Sequence, residues 1–257
     1  MSVKTQVRQV VIMGAAGRDF HNFNVVYRDD PAVQVLAFTA TQIPAIAGRL
    51  YPSSLAGERY PQGIPIMDEA ELESLCRERQ VDEVVFAYSD VGHAWVMHRA
   101  SIALAAGADF VLLGPKRTML KAAVPVIATS AVRTGCGKSQ TTRWLSRLLN
   151  RYGLKAAVIR HPMPYGDLAS QAVQRFACRA DLDAARCTIE EREEYEPHLV
   201  AGNVVYAGVD YAQIVRRAEQ EADVIPVSYT HLRAHETGRH ISYAVFCLKK
   251  GGGGGGG

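Results

Sequence analysis

Apolar and polar positions alternate in a steady rhythm over residues 7–114. Short β-branched runs, "VRQVVIM", "VQVLAFTA", "VDEVVFAYS" and "ADFVLLG", are separated by longer stretches. In those stretches, Asp19 to Arg28, Asp68 to Gln80 and His93 to Ala106, apolar residues recur at three- and four-residue spacing. The runs are apolar along nearly their whole length, as strands buried on both faces must be. Such strands alternating with amphipathic helices predict a doubly wound parallel α/β sheet. "MDEAELESLCRERQ" carries the helix signals in order: Asp68 as N-cap, acids in the first turn, Arg77 and Arg79 in the last. "YPSSLAGERYPQGIP", rich in Pro, Gly and Ser, predicts an irregular surface loop.

The rhythm restarts after "GPKRTMLKAAVP". A strand "PVIATS" leads into a glycine-containing turn and a helix, then the strand "LKAAVIR". A polar helix around Glu190 to Leu199, the strand "NVVYAG", a helix from Tyr211 to Glu221 and a short run "ADVI" follow. The pattern predicts two α/β units, residues 1–122 and 123–225, without internal repeats.

Composition narrows the function classes. The 257 residues are 48% hydrophobic, and five cysteines show neither CxxC nor Cys/His spacing, which argues against a disulfide framework or a zinc site. No apolar run approaches the roughly 20 residues that span a bilayer, and the run at Val10 to Met13 is too short for a secretory signal. The reading is a cytoplasmic protein with reduced thiols. Of 29 basic and 26 acidic residues, four basic and one acidic fall from Pro226 onward, so the preceding chain balances at 25 of each. Charge therefore makes no case for a nucleic-acid or membrane partner.

The chemistry concentrates in "SAVRTGCGKSQTT", Ser130 to Thr142. A strand enters, Gly135 and Gly137 permit close backbone approach, and a helix begins at Lys138. Its side carries Leu145, Leu148, Leu149 and Tyr152 with Trp144 beside them. Converging N–H groups at a helix N-terminus cradle phosphate. Thr134, Gly135, Cys136, Gly137, Lys138, Ser139 and Gln140 are the expected nucleotide-binding residues. Lys138 reaches the β- and γ-phosphates, and the Ser139 hydroxyl ligates Mg²⁺. Val132 stands where such loops usually open with glycine.

"VPVIATSAVRTGCGKSQTTRWL" resembles the P-loop NTPases that include dethiobiotin synthetase. "AVRTGCGKSQTTR", "VIRHPMPYGDL", "EEREEYEPH" and "GPKRTMLKAAVPVIA" together are similar to the cyclic 2,3-diphosphoglycerate synthetase family, over roughly residues 7 to 225. The resemblance implies a Rossmann-like first domain and a P-loop NTPase second domain. It also implies an ATP- and Mg²⁺-dependent ligase closing a cyclic pyrophosphate on a small phosphorylated acid, with Lys138 and Arg133 as catalytic cations. The alternative is a P-loop GTPase or nucleotide-switched partner-loading protein. A homo-oligomer of the intact parent fits either.

Other residues are weaker candidates. "MGAAGRDFHNFN" follows the first strand. Gly14 and Gly17 either bring backbone to a phosphate, with Arg18 and His21 beside it, or form a plain tight turn. Arg160 and His161 end the strand "LKAAVIR", where open sheets present ligand contacts, and Asp167 follows as a possible Mg²⁺ ligand. In "IEEREEYEPH", Glu190, Glu191 and His198 are raised above a solvated charge run only by the resemblance.

From Pro226 the chain reads "PVSYTHLRAHETGRHISYAVFCLKK" and seven glycines. This resembles translated sequencing-library adapter, where the family would complete its strand with a Walker B acid. The expectation is a parent enzyme truncated near residue 225, a tail 226–257 without packed structure, and little ATP turnover from the fragment.

Overall fold

The computed structural model describes residues 7–41, 48–88, 91–129, 137–160, 166–228 and 248–250. Contacts divide the chain into two compact units, Met1–Thr118 with Asp167–Ala169, and Met119–Gly166 with Ser170–Gly257.

The first unit opens with β1 (Arg8–Met13), α1 (Arg18–Asn22, extended by a wider turn to Tyr27) and β2 (Val33–Ala40). The expected irregular loop contains only a two-residue strand, β3 (Leu50–Tyr51), and one helical turn, α2 (Ser53–Ala56). Then come β4 (Ile64–Asp68), α3 (Leu72–Glu78), β5 (Glu83–Phe86), α4 (His93–Ala105), β6 (Asp109–Leu112) and α5 (Pro115–Thr118). The sheet order is β3-β4-β2-β1-β5-β6, parallel except for β3. Chain direction across the sheet reverses at β1, which lies between β2 and β5. The pattern of apolar runs predicted this architecture, and the fold is a doubly wound α/β sheet. On one face Phe20 stacks on Tyr51 at 4.6 Å, with Phe23 and Phe38 edge-on to their neighbours. The other face buries Leu72, Leu75 and Cys76 of α3 against Val11, Met13 and Val84.

The second unit contains β7 (Leu120–Ala122), β8 (Val126–Thr129), α6 (Lys138–Arg151), β9 (Ala157–Arg160) and β10 (Gln174–Phe176). It continues with α7 (Arg179–Ala184), α8 (Ile189–Val200), β11 (Val204–Ala207), α9 (Tyr211–Ala218) and β12 (Ile225–Ser228). Its sheet order is β10-β11-β9-β12-β8, parallel except for β10. Tyr211, Ile214, Val215 and Ala218 of α9 pack on one face; Leu182 of α7 and Tyr195 of α8 join Phe176 and Val205 on the other.

Two expectations need correction. The strand expected to stop after Ile225 runs to Ser228, and all four of its residues are buried between β8 and β9. Pro226 donates nothing to the ladder, but Val227, 3% exposed, fills the interior slot and carries the strand through. Leu248–Lys250 also forms a short strand, β13, parallel to β7, within the stretch expected to lack packing. Residues 229–247 and 251–257 lie outside the described residues. Along α6, it is Lys138, Thr142 and Ser146 that are buried, while Trp144 is 62% and Tyr152 76% exposed. The side of α6 facing the sheet is therefore its small polar stripe.

Because β12 is central, Val227→Asp places a charge among apolar neighbours. We expect it to lower unfolding stability by about 3 kcal/mol or more. Urea denaturation reads this as a shifted midpoint; an unchanged midpoint contradicts the placement of β12.

Candidate functional site

The turn from β8 into α6 is built around Gly137, whose φ of 80° and ψ of 15° lie in the left-handed region that favours glycine. A 14-residue helix begins at the next residue, so its first peptide N–H groups lie at this end. No side chain caps this N-terminus among the described residues. Lys138 follows at 8% exposure and Ser139 is half-buried. Gln140 is exposed, with its Oε1 3.5 Å from where a Cβ on Gly137 would stand. The Thr141 and Thr142 hydroxyls turn back to the carbonyls of Gly137 and Lys138, at 3.1 and 2.9 Å, so neither is directed at the turn. Arg133, Thr134, Gly135, Cys136 and His161 lie outside the described residues.

β12 lies beside β8 and ends at Ser228, where a phosphate-binding sheet would present its metal-holding acid. Ser139 suits Mg²⁺, but β12 offers a hydroxyl instead of a carboxylate. Among the described residues no group of three or more His, Cys, Asp and Glu is placed to hold a metal. Asp167 clusters with the first unit and Ser139 with the second.

Arg160 ends β9 at 5% exposure. Its Nη1 donates to the Ser228 hydroxyl and its Nη2 pairs with the Glu194 carboxylate. Burial pushes its pKa down to about 10, helped by Arg143, so it remains a cation at neutral pH. Helix α8 supplies the wall opposite. Thr188 and Glu191 form a capping box at its start, and Glu191 also accepts from Gln171 at 3.2 Å. Glu190 is exposed, whereas His198 and Tyr195 are fully buried. Burial, with Arg160 and Arg143 nearby, drives His198 down to about 3, so its ring is neutral at ordinary pH. Sequence reasoning singled out His198 but missed Tyr195, Glu194 and Arg143. The signal was present: Glu191, Tyr195 and His198 recur at helical spacing, and Arg143 is one turn beyond Ser139.

The first unit resolves its own ambiguity. Gly14 has φ 116°, and the N–H groups of Ala16, Gly17 and Phe20 all donate to Asp19 Oδ1 at 2.7–2.8 Å. An internal carboxylate thus takes the donors that a phosphate would need. His21, 1% exposed, donates through Nε2 to the Thr118 carbonyl at 2.6 Å, tying α1 to α5; Arg18 is half-buried at the start of α1. The tight-turn reading describes this loop.

No protein-family model matches the chain. It is similar to a curated protein of Thermococcus kodakarensis named arginine synthetase ArcE, with 64% identity over 218 residues. The match covers 85% of this chain and 49% of that protein, so the chain spans about half the length of its relative. Among solved structures, a UDP-N-acetylmuramate:L-alanyl-γ-D-glutamyl-meso-diaminopimelate ligase from Neisseria meningitides gives a TM-score of 0.30 at 16% identity, over 60% of this chain and 42% of that one. Aspartate semialdehyde dehydrogenase from Candida albicans gives 0.30 at 11%, covering 88% and 68%. A DUF1611 family protein from Anabaena variabilis gives 0.27 at 14%, covering 90% and 68%. Scores this low carry no functional argument. No helix among the described residues is long and apolar enough to cross a membrane.

The buried His198 makes a pH prediction. The unfolded chain takes up a proton near the ordinary histidine value of 6.5, while the folded ring resists until about 3. Its stabilising contribution is complete above 6.5 and is lost as pH falls through that window. Relative to His198→Leu, the unaltered chain should lose about 1.4 kcal/mol per pH unit between these limits. Urea midpoints measured from pH 7 to 4 check this; parallel curves for the two proteins contradict it.

Proposed function

We propose that the chain carries the nucleotide-phosphate site of an ATP-dependent ligase, at the turn from β8 into α6. The observation that supports this best is the left-handed Gly137 leading directly into Lys138 at the start of a long helix, next to a parallel strand. Lys138 neutralises charge on the transferring phosphoryl group, with Arg133 as a second clamp. Ser139 is the proposed Mg²⁺ ligand; the ion when bound would offset charge on the β- and γ-phosphates. The 64% identity to a protein named a synthetase supports the ligase class.

The finer reading concerns the acceptor. One candidate is a small doubly phosphorylated acid, 2,3-diphosphoglycerate, whose second phosphate attacks the newly phosphorylated first to close a cyclic pyrophosphate. The relative's name favours a second reading, in which arginine is the product and a nitrogen is the nucleophile. Both begin with phosphoryl transfer from ATP to an acceptor oxygen, which turns that oxygen into part of a leaving group. They differ in what attacks next. Two anions must meet in the first case, and cationic clamping then carries more of the rate.

Lys138→Ala should weaken ATP binding by about a hundredfold, since it removes a charge-assisted contact to phosphate. Calorimetric titration of Mg-ATP into the 257-residue chain reads this, and equal affinities refute the site. For the acceptor, the full-length Thermococcus protein can be assayed for phosphate release with 2,3-diphosphoglycerate. It can also be assayed for ATP formation from arginine, ADP and phosphate. Release indifferent to every acceptor, with GTP preferred to ATP, would instead favour a nucleotide switch.

A further inference from the structure

The cluster at the carboxyl ends of β9 and β12 contains more buried donors than the protein satisfies. Arg160 uses Nη1 and Nη2, but its Nε has no hydrogen-bond partner among the described residues. The Tyr195 hydroxyl and both ring nitrogens of His198 are likewise buried without a partner among the described residues. The three side chains are 5%, 0% and 0% exposed. Tyr195 and His198 share one face of α8 three residues apart, and each interacts electrostatically with Arg160. Arg143 acts on both Arg160 and His198, which brings α6 to the same place.

Charge and hydrogen bonding point the same way. Arg143 acts on Arg160 from α6, Glu194 pairs with Arg160, and the buried Glu191 carboxylate acts on Tyr195. A neutral histidine and a tyrosine add donors and no negative charge. Buried donors without acceptors are costly, and a guest made of acceptor oxygens would take the Arg160 Nε–H, the Tyr195 O–H and the single N–H of the neutral His198 ring. Glu194 is the accessible component: its side chain is 37% exposed while that of Arg160 is 5% exposed. It occupies one arm of a guanidinium fork whose geometry suits any carboxylate or phosphate. Ser139 and Arg143 lie one turn apart on α6, so such a guest would stand beside the transferring phosphoryl group.

We propose that Arg160, Tyr195 and His198, backed by Arg143, bind an oxyanion of the acceptor substrate, a carboxylate or phosphoryl group, which displaces Glu194 from Arg160. This deepens the proposed function and rests on the β8–α6 turn being the nucleotide site.

The test uses inorganic phosphate and acetate as probes, titrated calorimetrically into the 257-residue chain saturated with a non-hydrolysable Mg-ATP analogue. One equivalent of probe should bind. Glu194→Gln removes the internal competitor and should tighten binding by about tenfold; Tyr195→Phe should weaken it by about as much. Arg143→Gln, altered at a half-buried position, should also weaken it. Thermal midpoints control for folding. Phosphate binding with acetate excluded assigns a phosphoryl group, and acetate binding assigns a carboxylate. The proposal is overturned if neither probe binds the unaltered chain or Glu194→Gln. It is equally overturned if affinity ignores all three substitutions while only melting temperatures change, which leaves the cluster a structural ion pair. Repeating the titration in Lys138→Ala separates the two readings. Loss of nucleotide binding with probe binding kept supports two distinct sites. Probe binding sensitive to Glu194→Gln, in an unaltered chain that binds no nucleotide, sinks the proposed function alone.

Discussion

A guanidinium buried at a strand end must be answered by its surroundings, and much of the second unit is arranged around that demand at Arg160. β9 places the side chain where the Ser228 hydroxyl and the Glu194 carboxylate reach it. An unanswered charge there would cost several kcal/mol, more than most single contacts contribute. Meeting it fixes the rotation of α8, because Glu194 has to point at β9 while Tyr195 and His198 turn inward. Burial, with the same cation nearby, holds His198 neutral. Strand β12 is held between β8 and β9, and its last residue completes the shell.

The chain contains two strand-turn-helix junctions that look alike in sequence and behave differently. After β1, the donors of Ala16, Gly17 and Phe20 converge on Asp19, whose own carboxylate closes the turn. A side chain on Gly14 would collide with that carboxylate, its Cβ 2.5 Å from Oδ2. After β8, Gly137 brings no side chain, and Lys138 adds positive charge at the helix N-terminus. One junction is closed by an internal anion; the other has the charge and donors to take an external one. This contrast supports the proposed placement of nucleotide phosphate in the second unit without appeal to overall fold, which the two units largely share.

The elements were largely legible because burial on both faces makes a parallel strand almost wholly apolar, as at Val10 to Met13 and Val84 to Phe86. The end of β12 was not, because the residues from Pro226 resemble translated adapter and the pull of a central slot on Val227 is tertiary. The amphipathic reading of α6 failed for a related reason. Its buried stripe is Lys138, Thr142 and Ser146, and the Thr142 and Ser146 hydroxyls donate to carbonyls of the preceding turn and so can be buried. At the site, Gly137, Lys138 and Ser139 were visible as a motif. Asp19 was not visible as a plug, since an acid in a first helical turn ordinarily reads as a solvated cap. Tyr195 shares a readable helical spacing with Glu191 and His198, but inside a charge run only the packing of α8 shows that this stripe turns inward and that Glu194 meets Arg160.

Hydrogen exchange along the chain, with and without Mg-ATP, tests the central claim most directly. If the Gly137 turn is the nucleotide-phosphate site, amide protection should rise over Lys138 to Thr142, with the amides of Ala16, Gly17 and Phe20 unchanged because Asp19 already holds them. Protection appearing at Ala16 to Phe20, with Lys138 to Thr142 indifferent to nucleotide, would contradict the account.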